Sequence, residues 1–165
     1  MNITVSINDT ITPALAKLAD AAQKPLLMEA AGLAVLSMTR RAFQEPSLRP
    51  SSWPARSSAA SHALLKKSGT LWRSIAVTNV TASSVSITSD RVYAAIHQFG
   101  GVIKPKQAGG SLVFSIAGKK VFAKSVTIPA RPFFPVTSGG QFTEAAQKAI
   151  VSTVSLKLKS LIGQI

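Results

Sequence analysis

The sequence predicts an α+β fold with N-terminal helices, an antiparallel sheet carrying a long hairpin, and a C-terminal amphipathic helix. Three observations support this class. Apolar residues alternate with polar ones from Ile3, they follow helical spacing over 26–43 and 142–162, and they form short runs between glycine turns over 102–128. The order of strand, helices, antiparallel strands and helix is not a regular strand and helix alternation, so α+β is favoured.

The N-terminal third is predicted to hold a strand and two helices. Alternation over 3–7 indicates a half-buried strand, and Thr12 before Pro13 is typical of a helix start, with that helix continuing to Ala22. Pro25 then interrupts the pattern. A second helix is predicted from about Leu26 to Phe43, with basic residues in its last turn, and a single helix kinked at Pro25 is the alternative.

A loop separates these helices from the middle of the chain. Three prolines and six serines over 45–61 disfavour a helix or an inner strand, so we predict a flexible, Pro/Ser-rich loop. Trp53 is its exception, and we expect its indole to clamp the loop to the core. Residues 62–75 are predicted to form a short helix that breaks or bends at Ser68-Gly69.

Strands dominate the second half. A hairpin is predicted from 75–80 to 85–87, followed by a helix over 90–99 that ends at Gly100-Gly101. Four further strand segments are Val102-Ile103, Leu112–Ile116, Lys120–Phe122 and Val126–Ile128. Turns at Gly109-Gly110 and Ala117–Lys119 make a projecting hairpin over 104–124. The chain closes with the amphipathic helix.

Length and composition narrow the class of protein. A chain of 165 residues can bury a core by itself, so we predict a single domain over 1–165. Cysteine is absent and only His62 and His97 offer imidazole ligands, so we expect no metal site and no cofactor. The sequence shows neither a secretory signal nor an apolar run of the about 20 residues that span a bilayer. We therefore expect synthesis in the cytoplasm and no membrane association.

The chain is strongly basic, with 19 Lys and Arg, 6 Asp and Glu, and a formal net charge of +13. Residues 46–143 hold twelve of the basic residues and a single acid, Asp90. Such a field favours acidic partners or non-specific contact with DNA. The candidates for that contact are Lys104, Lys106, Lys119, Lys120 and Lys124. Lysines at strand ends also serve to prevent edge-to-edge aggregation.

The chain has few residues that are suited to catalysis. General acid–base or nucleophilic catalysis needs convergent titratable groups, and the six carboxylates are scattered along the chain. We therefore predict a non-enzymatic protein with no catalytic residues. His97 is expected to lie in a helix with its ring hydrogen-bonded locally, and a hydrolase that uses His97 is the enzymatic alternative.

Three motifs and a tryptophan loop carry a family resemblance. Tyr-Ala-Ala-Ile-His-Gln-Phe-Gly-Gly over 93–101, followed by Ile-Pro-Ala-Arg-Pro-Phe-Phe over 128–134, closely resembles the tailed-phage virion morphogenesis family, which is Mu-like and also called the tail completion family. Ser-Gly-Thr-Leu-Trp-Arg-Ser-Ile over 68–75 is similar to that family's third signature. Pro-Ser-Ser-Trp-Pro over 50–54 is similar to its tryptophan loop.

The resemblance implies a virion component used late in assembly, at the neck between head and tail. Proteins there commonly form rings about the DNA channel, so we expect a homo-oligomeric ring, with six copies as the natural number. Its partners would be other neck, tail or head-connector proteins and, non-specifically, packaged DNA. A basic DNA-binding assembly factor is the alternative.

Motif residues are the candidates for subunit or partner contacts. They are Tyr93, His97, Phe99, Arg131, Phe133 and Phe134. Arg131 stands between Ala130 and Pro132, which favour an extended backbone, so its guanidinium is expected to be presented to a carboxylate. Adjacent strand residues point to opposite faces, so one phenylalanine would fill the core and the other a subunit contact. The alternative is that both fill the core.

Overall fold

The computed structural model describes residues 3–8, 24–56, 63–116 and 118–162, and it confirms the α+β class. The elements are β1 (Ile3–Asn8), α1 (Lys24–Ala42), a 3-10 turn (Pro46–Leu48), α2 (Thr70–Ser74), β2 (Ile75–Thr78), β3 (Ser84–Ser89), α3 (Ala94–Phe99), β4 (Gly101–Ile103), β5 (Leu112–Ile116), β6 (Lys119–Ala123), β7 (Val126–Ile128) and α4 (Glu144–Ile162). The helix predicted over 13–22 lies outside the described residues. No described helix has the length and apolar character needed to span a membrane.

Helix α1 is the centre of the core and packs against α4, β2 and β3. Its described span is Lys24–Ala42, with Pro25 as the second residue. The predicted interruption at Pro25 concerns the helix over 13–22, which lies outside the described residues. Gly32 lets the sheet approach closely, because a Cβ at this position would lie 2.6 Å from Val85 Cγ2.

A three-stranded antiparallel sheet covers α1, with β3 between β1 and β2. Both the predicted first strand and the predicted hairpin of the second and third strands are present. Side chains of β3 alternate between half-buried and buried, and Val85, Ile87 and Ser89 point into the core. The hairpin turns through Asn79, whose φ of 47° is in the left-handed region that asparagine tolerates.

Two predicted helices are shorter in the structure. Only Thr70–Ser74 of the region 62–75 is helical among the described residues, because Leu65 and Gly69 have φ of 58° and 69°. A right-handed helix cannot pass through such positions. The helix expected over 90–99 begins at Ala94, and Gly100 ends it, with φ of 71° and an N–H that donates to the carbonyl of Ile96.

The C-terminal amphipathic helix is present as α4, and it packs against α1. Ala146, Ile150 and Val154 are buried on its apolar stripe. The helix starts after Thr143, whose Oγ1 accepts a hydrogen bond from the backbone N–H of Ala146 at 3.3 Å. A threonine oxygen at this point satisfies a donor that the helix cannot pair internally.

Residues 101–130 form a separate feature, which we call the arm. Two antiparallel pairs follow one another in it, β4 with β7 and then β5 with β6. The hairpin predicted within 104–124 is thus present as β5 and β6. None of the described arm residues is fully buried, which sets the arm apart from the other described residues, which we call the body.

Candidate assembly surface

The motif over 93–101 meets the motif over 128–134 through a buried glutamine. The side chain of Gln98 is 6% exposed, and its Oε1 accepts hydrogen bonds from the backbone N–H groups of Phe133 at 2.9 Å and Phe134 at 3.1 Å. The Arg131 N–H donates to the carbonyl of His97 at 2.7 Å. These bonds satisfy backbone donors that would otherwise be buried without partners. Sequence reasoning missed Gln98, although an amide within an otherwise apolar helical motif is a usable signal.

Gly100 allows the motif over 93–101 to approach the motif over 128–134 closely. A Cβ at this position would lie 2.7 Å from the backbone nitrogen of Ala130, and its φ is positive. Only glycine fits both the close approach and the left-handed backbone. The glycine that ends α3 therefore also positions the Arg131 segment.

Phe133 and Phe134 both belong to the core. Each is fully buried, with their ring centres 5.0 Å apart and the Phe133 ring 5.3 Å from that of Phe43. Neither ring reaches the surface of the described structure. The expectation of a subunit contact for one of them is corrected to the alternative, in which both fill the core. The strand that would have put them on opposite faces does not exist, since β7 ends at Ile128.

The tryptophan loop is held against these motifs, as the sequence predicted for Trp53. Its indole is 8% exposed and donates from Nε1 to the carbonyl of Pro132 at 2.8 Å. The guanidinium of Arg49 lies 3.8 Å from the centre of the indole ring, and its Nε donates to the carbonyl of Ala42 at 2.7 Å. This cation–π contact joins the loop to the end of α1.

Arg131 also holds the tryptophan loop in place. Its Nε donates to the carbonyl of Pro54 at 3.0 Å and its Nη2 to that of Ala55 at 3.2 Å. Burial, followed by the nearby charge of Arg56, lowers the pKa of Arg131 below its ordinary value. The guanidinium is turned toward the loop and not presented to a carboxylate, which corrects the role expected for it.

His97 is half-buried beside Tyr93, with ring centres 6.0 Å apart in an edge-on arrangement. Burial, and then the charge of Arg131, lowers the pKa of His97, so the ring is neutral at physiological pH. Its Nδ1 is buried without a hydrogen-bond partner in the described structure, contrary to the local bond that we expected. A catalytic triad needs a carboxylate that accepts a hydrogen bond from that nitrogen, and no described carboxylate does so.

Large apolar side chains are exposed around α3. Phe99, at the end of the helix, is 71% exposed, and Tyr93 at its start is 38% exposed. Val92, in the preceding turn, is 76% exposed. Of the predicted contact residues, therefore, Tyr93 and Phe99 lie on the surface and His97 is between surface and core.

The arm carries all five predicted basic contact residues, and each of them is exposed. Residues 101–130 contain no aspartate or glutamate. Lys124 has a structural task as well, because its Nζ donates to the carbonyls of Gly109 at 2.7 Å and Gly110 at 3.2 Å. The structure thus separates Lys124, which closes the loop before β5, from Lys119 and Lys120 at the tip.

A family model described as the phage virion morphogenesis family matches residues 4–159. The chain belongs to this family. Membership implies a virion-associated protein with a role in phage virion assembly. The matched residues include the three motifs, the tryptophan loop and the arm. No curated protein and no solved structure matches the chain significantly.

For a virion morphogenesis protein, the described site has two parts with different properties. The motif residues Gln98, Arg131, Phe133 and Phe134 hold the body together. Exposed apolar side chains lie at the two ends of α3 and along the arm, and exposed lysines lie along the arm. Exposed apolar patches are typical of sites that bind another protein.

Proposed function

We propose that the protein is a non-enzymatic structural component of the neck, or tail completion region, at the head–tail junction of the virion. It assembles as a homo-oligomeric ring around the DNA channel, with six copies as the expected number, and joins head to tail through other neck, tail or head-connector proteins. Family membership supports the virion assembly role, and the proposal adds the place and the ring.

The exposed apolar side chains of the arm are the observation that supports this proposal. A single two-stranded hairpin is marginally stable in water, and contiguous exposed apolar surface is rare on proteins that work alone. None of the described residues of the arm is fully buried, and Val102, Ile103, Val113, Ile116 and Phe122 are 40% to 68% exposed. Such a segment is explained by neighbours that cover it after assembly.

Contacts between sister copies are proposed for the surface around α3. Phe99 and Tyr93 are exposed at its two ends, and the His97 ring packs beside Tyr93. A neutral, half-buried imidazole can be covered by a neighbour without the cost of burying a charge.

The proposal is tested by particles made without the chain. We expect filled heads and finished tails that do not join, and electron microscopy of complete particles should place the chain as a ring at the junction. A chain that is absent from mature virions, together with tails that still join heads in its absence, would contradict the proposal.

A basic DNA-binding assembly factor is the second candidate, and the acid-free arm with five lysines favours it. Binding driven by phosphate contacts falls steeply with salt. If this candidate is correct, the purified chain retains duplex DNA at 50 mM salt and releases it at 200 mM, and the double substitution K119E/K120E abolishes retention. Equal retention by that variant and by K67E/K159E, which reverses two exposed lysines outside the arm, would count against it.

A further inference from the structure

We propose that one face of the β5–β6 hairpin is a docking surface for an acidic protein, not for another copy of this chain. The exposed face consists of Val113, Ser115, Lys120 and Phe122. The inference deepens the proposed function and rests on it in one respect, namely that the acidic protein is another component of the virion.

The two faces of the hairpin differ in exposure. Alternation along β5 and β6 places Leu112, Phe114, Val121 and Ala123 on one face, and all four are half-buried. The opposite face is exposed throughout. On it Val113 and Phe122 are direct cross-strand partners, 59% and 68% exposed, and Ser115 is paired with Lys120.

The composition of the exposed face defines its partner. An aromatic and a branched aliphatic side chain gain free energy when an apolar surface covers them, and a phosphate backbone provides none. Lys120 on this face and Lys119 at the tip add positive charge with no acid anywhere in the arm. A protein patch that combines apolar and acidic residues matches both properties.

A second copy matches poorly because this chain has little acidic surface. Three of the four acids in the described part of the chain are engaged by their own neighbours. Glu45 pairs with Arg41 at 2.7 Å, Glu144 pairs with Lys148 at 2.5 Å, and Asp90 pairs with Arg91. Each copy also carries a formal net charge of +13. Like-charged surfaces repel in an interface, so electrostatics favours a partner of opposite charge.

A photo-crosslinker at Phe122 tests the inference in the phage that encodes the chain. Phe122→benzoyl-phenylalanine is illuminated in infected cells during assembly and in purified particles, and the adduct is identified by mass spectrometry. Leu156→benzoyl-phenylalanine, at a 64% exposed position of α4, is the matched control. We expect one dominant adduct from position 122 with a virion protein of acidic composition, and not from position 156.

The other results overturn the inference. An adduct with another copy of the chain identifies the hairpin as part of the ring contact, one with DNA supports the second candidate function, and one with lipid indicates a membrane surface. Absence of any adduct from position 122, while the variant is present and folded, shows that the face stays exposed.

Affinity for the protein identified by the adduct separates the two components of the surface. Phe122→Ser should weaken binding by at least about tenfold, as loss of an aromatic anchor does, and Leu156→Ser should leave it unchanged. K119E/K120E should slow association and reduce its salt dependence, and K67E/K159E should not. Unchanged affinity in both arm variants contradicts the inference.

The proposed function and this inference can fail separately. Light scattering and electron microscopy of the purified chain report whether a ring forms, and arm variants should form it as the wild type does. An acidic adduct at position 122 from a chain that forms no ring supports the inference and contradicts the ring. A ring whose position 122 cross-links to a sister copy does the reverse.

Discussion

The body and the arm use the same residue type for opposite purposes. Phe133 and Phe134 are fully buried in the body, and Phe122 in the arm is 68% exposed. The body also satisfies its buried backbone donors with Gln98 and fixes its loop with Arg131. The described arm residues are held by strand pairs, by the backbone bond from Gly110 to Gln107 and by the Lys124 contacts, and none of them is fully buried. Stability therefore resides in the body, and the arm's exposed surface is available for assembly.

Truncating one phenylalanine in each region gives the largest expected contrast. Phe133→Ala should lower the free energy of unfolding by about 3–5 kcal/mol, because it removes a ring packed between Phe43 and Phe134. Phe122→Ala should change it by less than about 0.5 kcal/mol. Urea unfolding followed by tryptophan fluorescence measures both. Equal losses would remove the distinction between body and arm.

A pair of glutamines gives the next contrast. Gln98→Ala should cost about 2 kcal/mol, since the backbone N–H groups of Phe133 and Phe134 lose their acceptor inside the core. Gln107 lies exposed in the arm, and Gln107→Ala should be close to neutral. The same unfolding measurement applies. A neutral Gln98 variant would show that the junction of the two motifs does not depend on this amide.

Glycine substitutions test packing within the body. Gly32→Ala places a methyl group 2.6 Å from Val85 Cγ2, so α1 or β3 must shift, at a cost of about 1–2 kcal/mol. Gly139→Ala meets only an oxygen at 3.8 Å and should be tolerated. A lower midpoint of thermal unfolding for the first variant alone is the expected result, and equal midpoints would contradict the packing described for α1.

The smallest effect concerns His97 and pH. The pKa of His97 in the folded protein is below its ordinary value of 6.5, so the unfolded chain binds the proton more tightly. The resulting stability is fully present above about pH 6.5 and is lost as the pH falls through the lowered folded pKa. The midpoint of urea unfolding should therefore fall more between pH 7.5 and pH 5 for the wild type than for His97→Gln. Equal falls would show that His97 does not contribute.

The sequence was most informative where periodicity was strong. Helices α1 and α4, strand β3 and the β5–β6 hairpin follow from apolar spacing and turn glycines alone. The short helices were overestimated because apolar residues near Leu65 and Asp90 suited helical spacing, and the pattern does not show the backbone reversal at Leu65 and Gly69.

Within the candidate site, position in the chain was easier to predict than role. Arg131 turns inward because it bonds to the carbonyls of Pro54 and Ala55, and Trp53 bonds to the carbonyl of Pro132, across 76 to 79 residues of sequence. The backbone N–H groups of Phe133 and Phe134 bond to Gln98, 35 and 36 residues away. Contacts of that separation leave no local pattern. By contrast, the exposed lysines of the arm were found from composition, since no acid stands near them in sequence.

Hydrogen exchange of arm amides, in the isolated chain and in assembled particles, measures whether assembly covers the arm. We expect amides of 112–123 to exchange rapidly in the isolated chain and to become protected in the particle, and those of α1 and β3 to be protected in both. An arm that is already protected in the isolated chain, or one that still exchanges rapidly in the particle, would contradict it.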